Sequence, residues 1–223
     1  MAEIEKLKKG DGTTNEERLE LFDKFMEHNP DSKTVIEYYD AWGKFYDSDM
    51  TAASYVNPVA VADDVQKRFN NQKDIKILDV GAGTGEGGQK LADLGYTNID
   101  ATDGSTGMLA VAQSRNIYKH VYQELITEGP MKNVPQDAYD LVVSSGAIYP
   151  THLMGQHLKS IVGCAKKGGT LILSGCPHND EGVNMRPALK TLVEAKQVEI
   201  LDDKKIDNWY RGHDGFLLVL KRI

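Results

Sequence analysis

Apolar positions follow helical spacing along the chain up to residue 70 and then switch to short unbroken runs. Residues 16–28, "EERLELFDKFMEH", place Leu19, Phe22, Phe25 and Met26 on one face of an amphipathic helix. Residues 33–47 carry an aromatic stripe of Val35, Tyr38, Tyr39, Trp42, Phe45 and Tyr46. Asn57 followed by Pro58 reads as an N-cap and first helical position, opening a helix over 58–70 with Val61, Val65 and Phe69 inward. Residues 1–15 are charged and Gly/Thr-rich and are expected to be mobile.

From residue 75 short apolar runs alternate with helical stretches. "IKILDV", "NIDATD", "HVYQEL", "YDLVVSS" (139–145) and "TLILSG" (170–175) read as strands. A helix closed by Gly95, one capped by Ser105 and running to Arg115, and one over 151–165 lie between them. Such alternation implies right-handed crossovers and a parallel sheet covered on both faces. After a helix over 187–195, the runs 196–201 and 216–222 are separated by a loop with no crossover helix, so they must pair antiparallel. The expected fold is α/β: a doubly wound, seven-stranded, mostly parallel sheet with its last strand antiparallel. Residues 1–33 form a polar extension with a short amphipathic helix, and 34–223 form the domain.

Composition narrows the function classes. A net charge of -7 argues against a broad nucleic-acid surface, which needs clustered Lys and Arg. Cys164 and Cys176 form no CxxC pair, so two free thiols in a reducing compartment are expected, cytoplasmic or nuclear. The polar N-terminus does not resemble a signal peptide, and no run is long enough to cross a membrane. A monomer with no membrane and no nucleic-acid partner is the expectation.

The chemistry concentrates in "LDVGAGTGEG" (78–87). A strand, a glycine turn and a helix N-terminus let a ligand approach the backbone at the carboxyl edge of a parallel sheet. A dinucleotide fingerprint needs glycine at its first, third and sixth positions; Gly81 and Gly83 comply, but the sixth is Glu86. Asp79 would repel a pyrophosphate and attract an ammonium. Asp103 closes the second strand, 22 residues beyond Gly81, where an acid can accept hydrogen bonds from a ribose. Ribose plus an amino-acid ammonium, without phosphate, describes S-adenosylmethionine.

"ILDVGAGTG", "TDGSTGML", "YDLVVSSGA" and "KKGGTLIL" resemble the motifs of class I S-adenosylmethionine-dependent methyltransferases. The segments Tyr39-Asp40-Ala41-Trp42 through Tyr46-Asp47 and "DGSTGML" are further similar to the methyltransferase-like family encoded in the Williams–Beuren syndrome region. The resemblance implies a Rossmann-like methyltransferase fold over 34–223 and specific roles. Gly81, Ala82 and Gly83 would line the methionine portion. Asp103 would hold the ribose, with Gly104 beside it and Met108 against adenine, whose edge Glu124 and Leu125 would face. Ser144, Ser145 and Gly146 would lie near the sulfonium, under a lid of Tyr39, Trp42 and Tyr46, since aromatic faces attract cations.

Methyl transfer needs alignment and water exclusion more than a dedicated catalytic group. If a base is required, His152 and His178 follow the carboxyl ends of strands and are the candidates. No carboxylate set for a metal accompanies His152 and His157. Tyr149, loop 176–186 and loop 203–214 with Trp209, Tyr210 and Arg211 are expected to form the acceptor pocket, where Arg186 or Arg211 could pair an anionic acceptor. The leading reading is methyl transfer to a small molecule. A protein acceptor, a non-catalytic cofactor-binding regulator and a nicotinamide oxidoreductase are the competitors, and Glu86 argues against the last.

Overall fold

The computed structural model describes residues 2–9, 13–176 and 183–223. Four helices precede the sheet: α1 (Ala2–Lys9), α2 (Asn15–Glu27), α3 (Ser32–Ala52) and α4 (Asn57–Phe69). The alternating portion runs β1 (Ile77–Val80), α5 (Glu86–Asp93), β2 (Ile99–Asp103), α6 (Thr106–Ser114), β3 (Val121–Gln123), β4 (Tyr139–Ile148), a 3₁₀ turn (Gly155–His157), α7 (Leu158–Cys164) and β5 (Ala165–Gly175). It closes with α8 (Met185–Glu194), β6 (Val198–Tyr210) and β7 (His213–Arg222).

The strands form one seven-stranded sheet in the order β3-β2-β1-β4-β5-β7-β6. The pairs β1–β2, β1–β4, β2–β3 and β4–β5 are parallel, and β7 runs antiparallel to both β5 and β6. The strand alternation therefore predicts the sheet and its reversed strand correctly. Successive strands grow outward from β1 through β2 to β3, and β4 then returns to the other side of β1. That reversal splays the connections apart and opens a crevice at the carboxyl ends of β1 and β4.

Both faces are covered. Ile77, Leu141, Val143 and Ile172 turn toward α4 and α5, where Val61, Val65 and Leu91 meet them. Leu78, Val80, Val142, Leu171 and Leu173 belong to the opposite core, with the apolar residues of α1, α2 and α3.

Four local readings change. Residues 2–9, expected to be mobile, form a helix that buries Ile4 and Leu7. Asn57 is the first residue of α4 and makes no capping bond; the chain enters from Val56 with Pro58 in the first turn. Helix α7 is confined to Leu158–Cys164, because β5 begins at Ala165 and pairs with Tyr139. The stretch read as a loop over 203–214 is a hairpin: β6 extends to Tyr210 and pairs with β7 back to His213.

Helix α2 is held to α3 by charge as well as by apolar contact. Asp49, fully buried, accepts from Arg18 Nε at 2.8 Å and Nη2 at 2.6 Å, from Trp42 Nε1 at 2.7 Å and from Asn15 Nδ2 at 2.9 Å. Every donor aimed at the carboxylate is satisfied, which is the condition under which a buried ion pair is tolerated. Phe22 of α2 stacks on Trp42, ring centroids 4.9 Å apart.

Candidate active site

The crevice beside β1 and β4 is a single deep cleft floored by the glycine turn and roofed by α2 and α3. Its shape follows from backbone geometry. Gly83 sits at φ +56°, and a Cβ there would meet nothing within 4 Å, so it would project into open space. A residue that needs a left-handed conformation and faces empty volume is placed for close approach by a ligand. The Gly83 amide donates to Asp103 Oδ2 at 2.9 Å, and the Ser105 amide donates to Oδ1 at 2.9 Å. Burial, opposed by these amides, raises the Asp103 pKa. Each carboxylate oxygen accepts one amide and retains a lone pair for a hydroxyl donor.

Beneath the turn lies Asp79, 1% exposed, accepting from Tyr118 Oη at 2.8 Å. Tyr118 reaches it through the space left by Gly88, whose Cβ would come within 2.2 Å of that hydroxyl. Burial first, and then the charge of Asp103, push Asp79 up to about 6, against the Tyr118 and Gly88 hydrogen bonds.

The cleft lining gathers most of the residues singled out from the sequence: Tyr39, Trp42, Tyr46, Gly81, Gly83, Asp103, Gly104, Met108, Glu124, Leu125, Ser145, Gly146 and His152. Asp79, Ala82 and Ser144 lie behind the lining rather than in it. His178 and most of the loop 176–186 lie outside the described residues. Glu124 lines the cleft, yet its oxygens already accept the amides of Lys132 at 2.5 Å and Asn133 at 2.7 Å, tying down the loop after β3. Arg186 and Arg211 do not line it. They pair with Asp203 at 2.9 Å and Glu16 at 2.7 Å, so the expected anion partners are spent on carboxylates of the chain itself.

The structure adds residues that the sequence reading did not bring to the site. Phe22, Ile36, Met50 and Tyr55 all line the cleft. Tyr55 donates to the Ser145 carbonyl at 3.1 Å, closing the space above Gly146. The hairpin tip brings Trp209 and Tyr210 to the same wall as Tyr149, with Tyr149–Trp209 centroids 6.0 Å apart.

His152 is the histidine in this wall. Its Nδ1 lies 2.9 Å from the Pro150 carbonyl, and its Nε2 lies 2.9 Å from Tyr39 Oη. A carbonyl can only accept, so Nδ1 carries the proton, and Nε2 accepts from the tyrosine hydroxyl. Burial lowers the His152 pKa to about 4, keeping the ring neutral. Tyr39 stays protonated because burial raises its pKa far above the phenol range.

Residues 77–169 match the methyltransferase domain family. Methyltransferase-like protein 27 of Homo sapiens is 29% identical over 120 residues, covering 53% of this chain and 49% of that protein. Demethylmenaquinone methyltransferase of Corynebacterium glutamicum is 27% identical over 140 residues, covering 63% of this chain and 58% of its own length. The matches thus span about half the length of these relatives. Among solved structures, magnesium protoporphyrin IX methyltransferase from Synechocystis, with bound SAM, superposes with a TM-score of 0.66 at 16% identity, covering 87% of this chain and 98% of that one. That likeness concerns the fold alone: a doubly wound seven-stranded sheet with a reversed β7.

Proposed function

We propose that this chain is an S-adenosylmethionine-dependent methyltransferase whose acceptor is a small molecule. The observation that carries the reading is the Gly83–Asp103 cradle: an open glycine with positive φ beside a half-buried carboxylate that keeps acceptor capacity for ribose hydroxyls. A dinucleotide fingerprint shares such a ribose acid but requires glycine at the position that Glu86 occupies here.

The chain's residues divide the work along the cleft. Asp103 takes the ribose; Ile36, Gly104, Met108 and Leu125 enclose the adenine; the Gly81–Gly83 backbone takes the methionine portion, with Asp79 beneath it. When bound, S-adenosylmethionine supplies an electrophilic methyl group on a positively charged sulfur. Tyr39, Trp42 and Tyr46 cover that region with aromatic faces, which favour a cation and keep water out. Helices α2 and α3 form the roof, and the acceptor enters on the β4–β7 side.

A small molecule suits the enclosure, because the acceptor wall is built of packed rings rather than an open groove. The test is a calorimetric titration of S-adenosylmethionine against NAD, followed by transfer of labelled methyl into a fractionated extract. Binding of the former and label in the low-mass fraction are expected. Preference for NAD would overturn the cofactor assignment, and label confined to protein would overturn the small-molecule acceptor.

A further inference from the structure

The cleft is electrically divided. Its charged lining residues among those described, Asp103 and Glu124, stand at the ends of β2 and β3, on one side of β1. The other side, beyond β4, is walled by Tyr55, Tyr149, Trp209 and Tyr210. Ring contacts run continuously through this wall: Tyr55–Tyr210 at 6.4 Å, Tyr210–Trp209 at 5.9 Å and Trp209–Tyr149 at 6.0 Å. Burial holds the Tyr55 and Tyr210 hydroxyls far from ionisation. Among the described residues of this wall, an acceptor carboxylate or phosphate would find no cation, and an ammonium would find no carboxylate. The Trp209 indole N–H is buried and has no acceptor among the described residues. A buried donor without a partner costs free energy unless a ligand atom completes it.

Next to this wall is the Tyr39–His152 pair, with Tyr149 edge-on to the His152 ring at 5.6 Å. A neutral imidazole nitrogen accepting from a tyrosine hydroxyl can pass a proton in one direction: from an acceptor hydroxyl to Tyr39 Oη, while the Tyr39 proton moves to Nε2.

We propose that the acceptor is an uncharged planar aromatic compound bearing a hydroxyl, bound in the Tyr55–Tyr149–Trp209–Tyr210 wall, and that its proton leaves through Tyr39 to His152 Nε2. This rests on the methyltransferase reading above. The acceptor oxygen forms its bond to the methyl carbon as the carbon–sulfur bond breaks with its electron pair on sulfur. The O–H proton ends on His152, whose Nδ1–H still donates to Pro150. The positive charge lost at sulfur reappears on the imidazolium, so the dry cleft gains no net charge. A weakly basic histidine suffices, because an oxygen that is gaining a methyl group becomes far more acidic than imidazolium.

The experiment uses the full chain with S-adenosylmethionine and three probes of one shape: 2-naphthol, 2-naphthoate and the 2-naphthylmethylammonium cation. Binding is read by quenching of tryptophan fluorescence, with the Trp209→Phe variant in parallel, and turnover by labelled methyl. 2-Naphthol is expected to bind at least tenfold more tightly than either charged probe, to lose at least fivefold in Trp209→Phe, and to be the probe that takes label. Tyr39→Phe and His152→Gln are expected to keep naphthol affinity within about threefold and to lose about 100-fold or more in transfer, the scale of general-base catalysis. At saturating S-adenosylmethionine, so that titration of Asp79 beneath the methionine portion does not limit the rate, wild-type transfer should not decline from pH 8 to pH 5, where a histidine of ordinary pKa would impose a fall. If S-adenosylmethionine does not bind, the methyltransferase reading fails. If it binds but a charged probe is preferred, Trp209→Phe changes nothing, or naphthol takes no label, the acceptor class is wrong. Wild-type transfer rates in both Tyr39→Phe and His152→Gln would overturn the proton route alone.

Discussion

The amide of Gly83 and the carboxylate of Asp103 meet at 2.9 Å across a sequence separation of 20 residues, joining the turn after β1 to the end of β2. The same carboxylate thus shapes the turn and is the group proposed to take the ribose. Asp103→Ala is expected to weaken S-adenosylmethionine binding by about 1–3 kcal/mol, the value of a hydrogen bond to a charged group. Asp103→Asn should fall between the two, since its one carbonyl oxygen can serve only part of the arrangement. Calorimetry on folded variants decides; unchanged affinity in Asp103→Ala would remove the ribose assignment.

Gly83 offers a complementary prediction. A methyl group at this position meets no protein atom, so Gly83→Ala carries only the left-handed backbone penalty, about 1–2 kcal/mol. The melting temperature should fall modestly, whereas cofactor affinity should fall by at least tenfold. Equal affinity in the variant would mean that no ligand approaches this backbone.

Asp79 predicts a pH dependence of stability. Its pKa is raised from 3.8 to about 6 by burial and by Asp103, with Tyr118 and Gly88 opposing. The folded protein therefore binds the proton more tightly than the unfolded chain. The stabilisation from the protonated form is complete below pH 4 and is lost as pH rises through 6, a change of about 3 kcal/mol. Asp79→Asn should melt higher than the parent at pH 8 and close to it at pH 4.5. Parallel melting curves across that range would contradict the shift.

His152 works in the opposite sense. Burial depresses its pKa from 6.5 to about 4, with Tyr39 and Tyr149 as its neutral neighbours and the Pro150 carbonyl opposing the shift. Stability from the neutral ring is complete above pH 6.5 and is lost as pH falls toward 4, again by about 3 kcal/mol. A histidine ring titration followed by NMR should give a midpoint near 4 for this residue; a midpoint above 6 would show the ring to be solvated.

Much of this arrangement is legible in the sequence because it is local. The glycine turn, Asp103 and the Ser105 cap of α6 lie within one β–α–β unit, and their spacing fixes their roles in the turn. Phe22, Ile36 and Met50 are not legible in this way. They lie on the apolar faces of helices, and helical periodicity reports that a face is buried without reporting whether core or cleft lies against it. The hairpin is hidden for another reason. Strand β6 is an edge, and Asp202, Asp203, Lys204, Lys205 and Asp207 along it read as loop composition, although charge on an edge strand is how a sheet avoids further pairing. Helix α1 is too short to declare itself by propensity and is held by the burial of Ile4 and Leu7.

The buried Arg18–Asp49 pair makes the roof a stability determinant. Asp49→Ala leaves the guanidinium and the Trp42 indole without their acceptor in a site of almost no exposure. A loss of about 3–5 kcal/mol is expected. Chemical denaturation measures it, and a loss below 1 kcal/mol would mean that α2 is not docked through this pair.

Arg211 at the hairpin tip reaches Glu16 on α2 across a separation of 195 residues. The proposed cofactor half of the cleft is lined by the chain through β4, but the proposed acceptor half takes in the hairpin. In the order of synthesis, the proposed cofactor side of the cleft therefore precedes the enclosure for a second substrate. Closure of the cleft on that side waits for the hairpin.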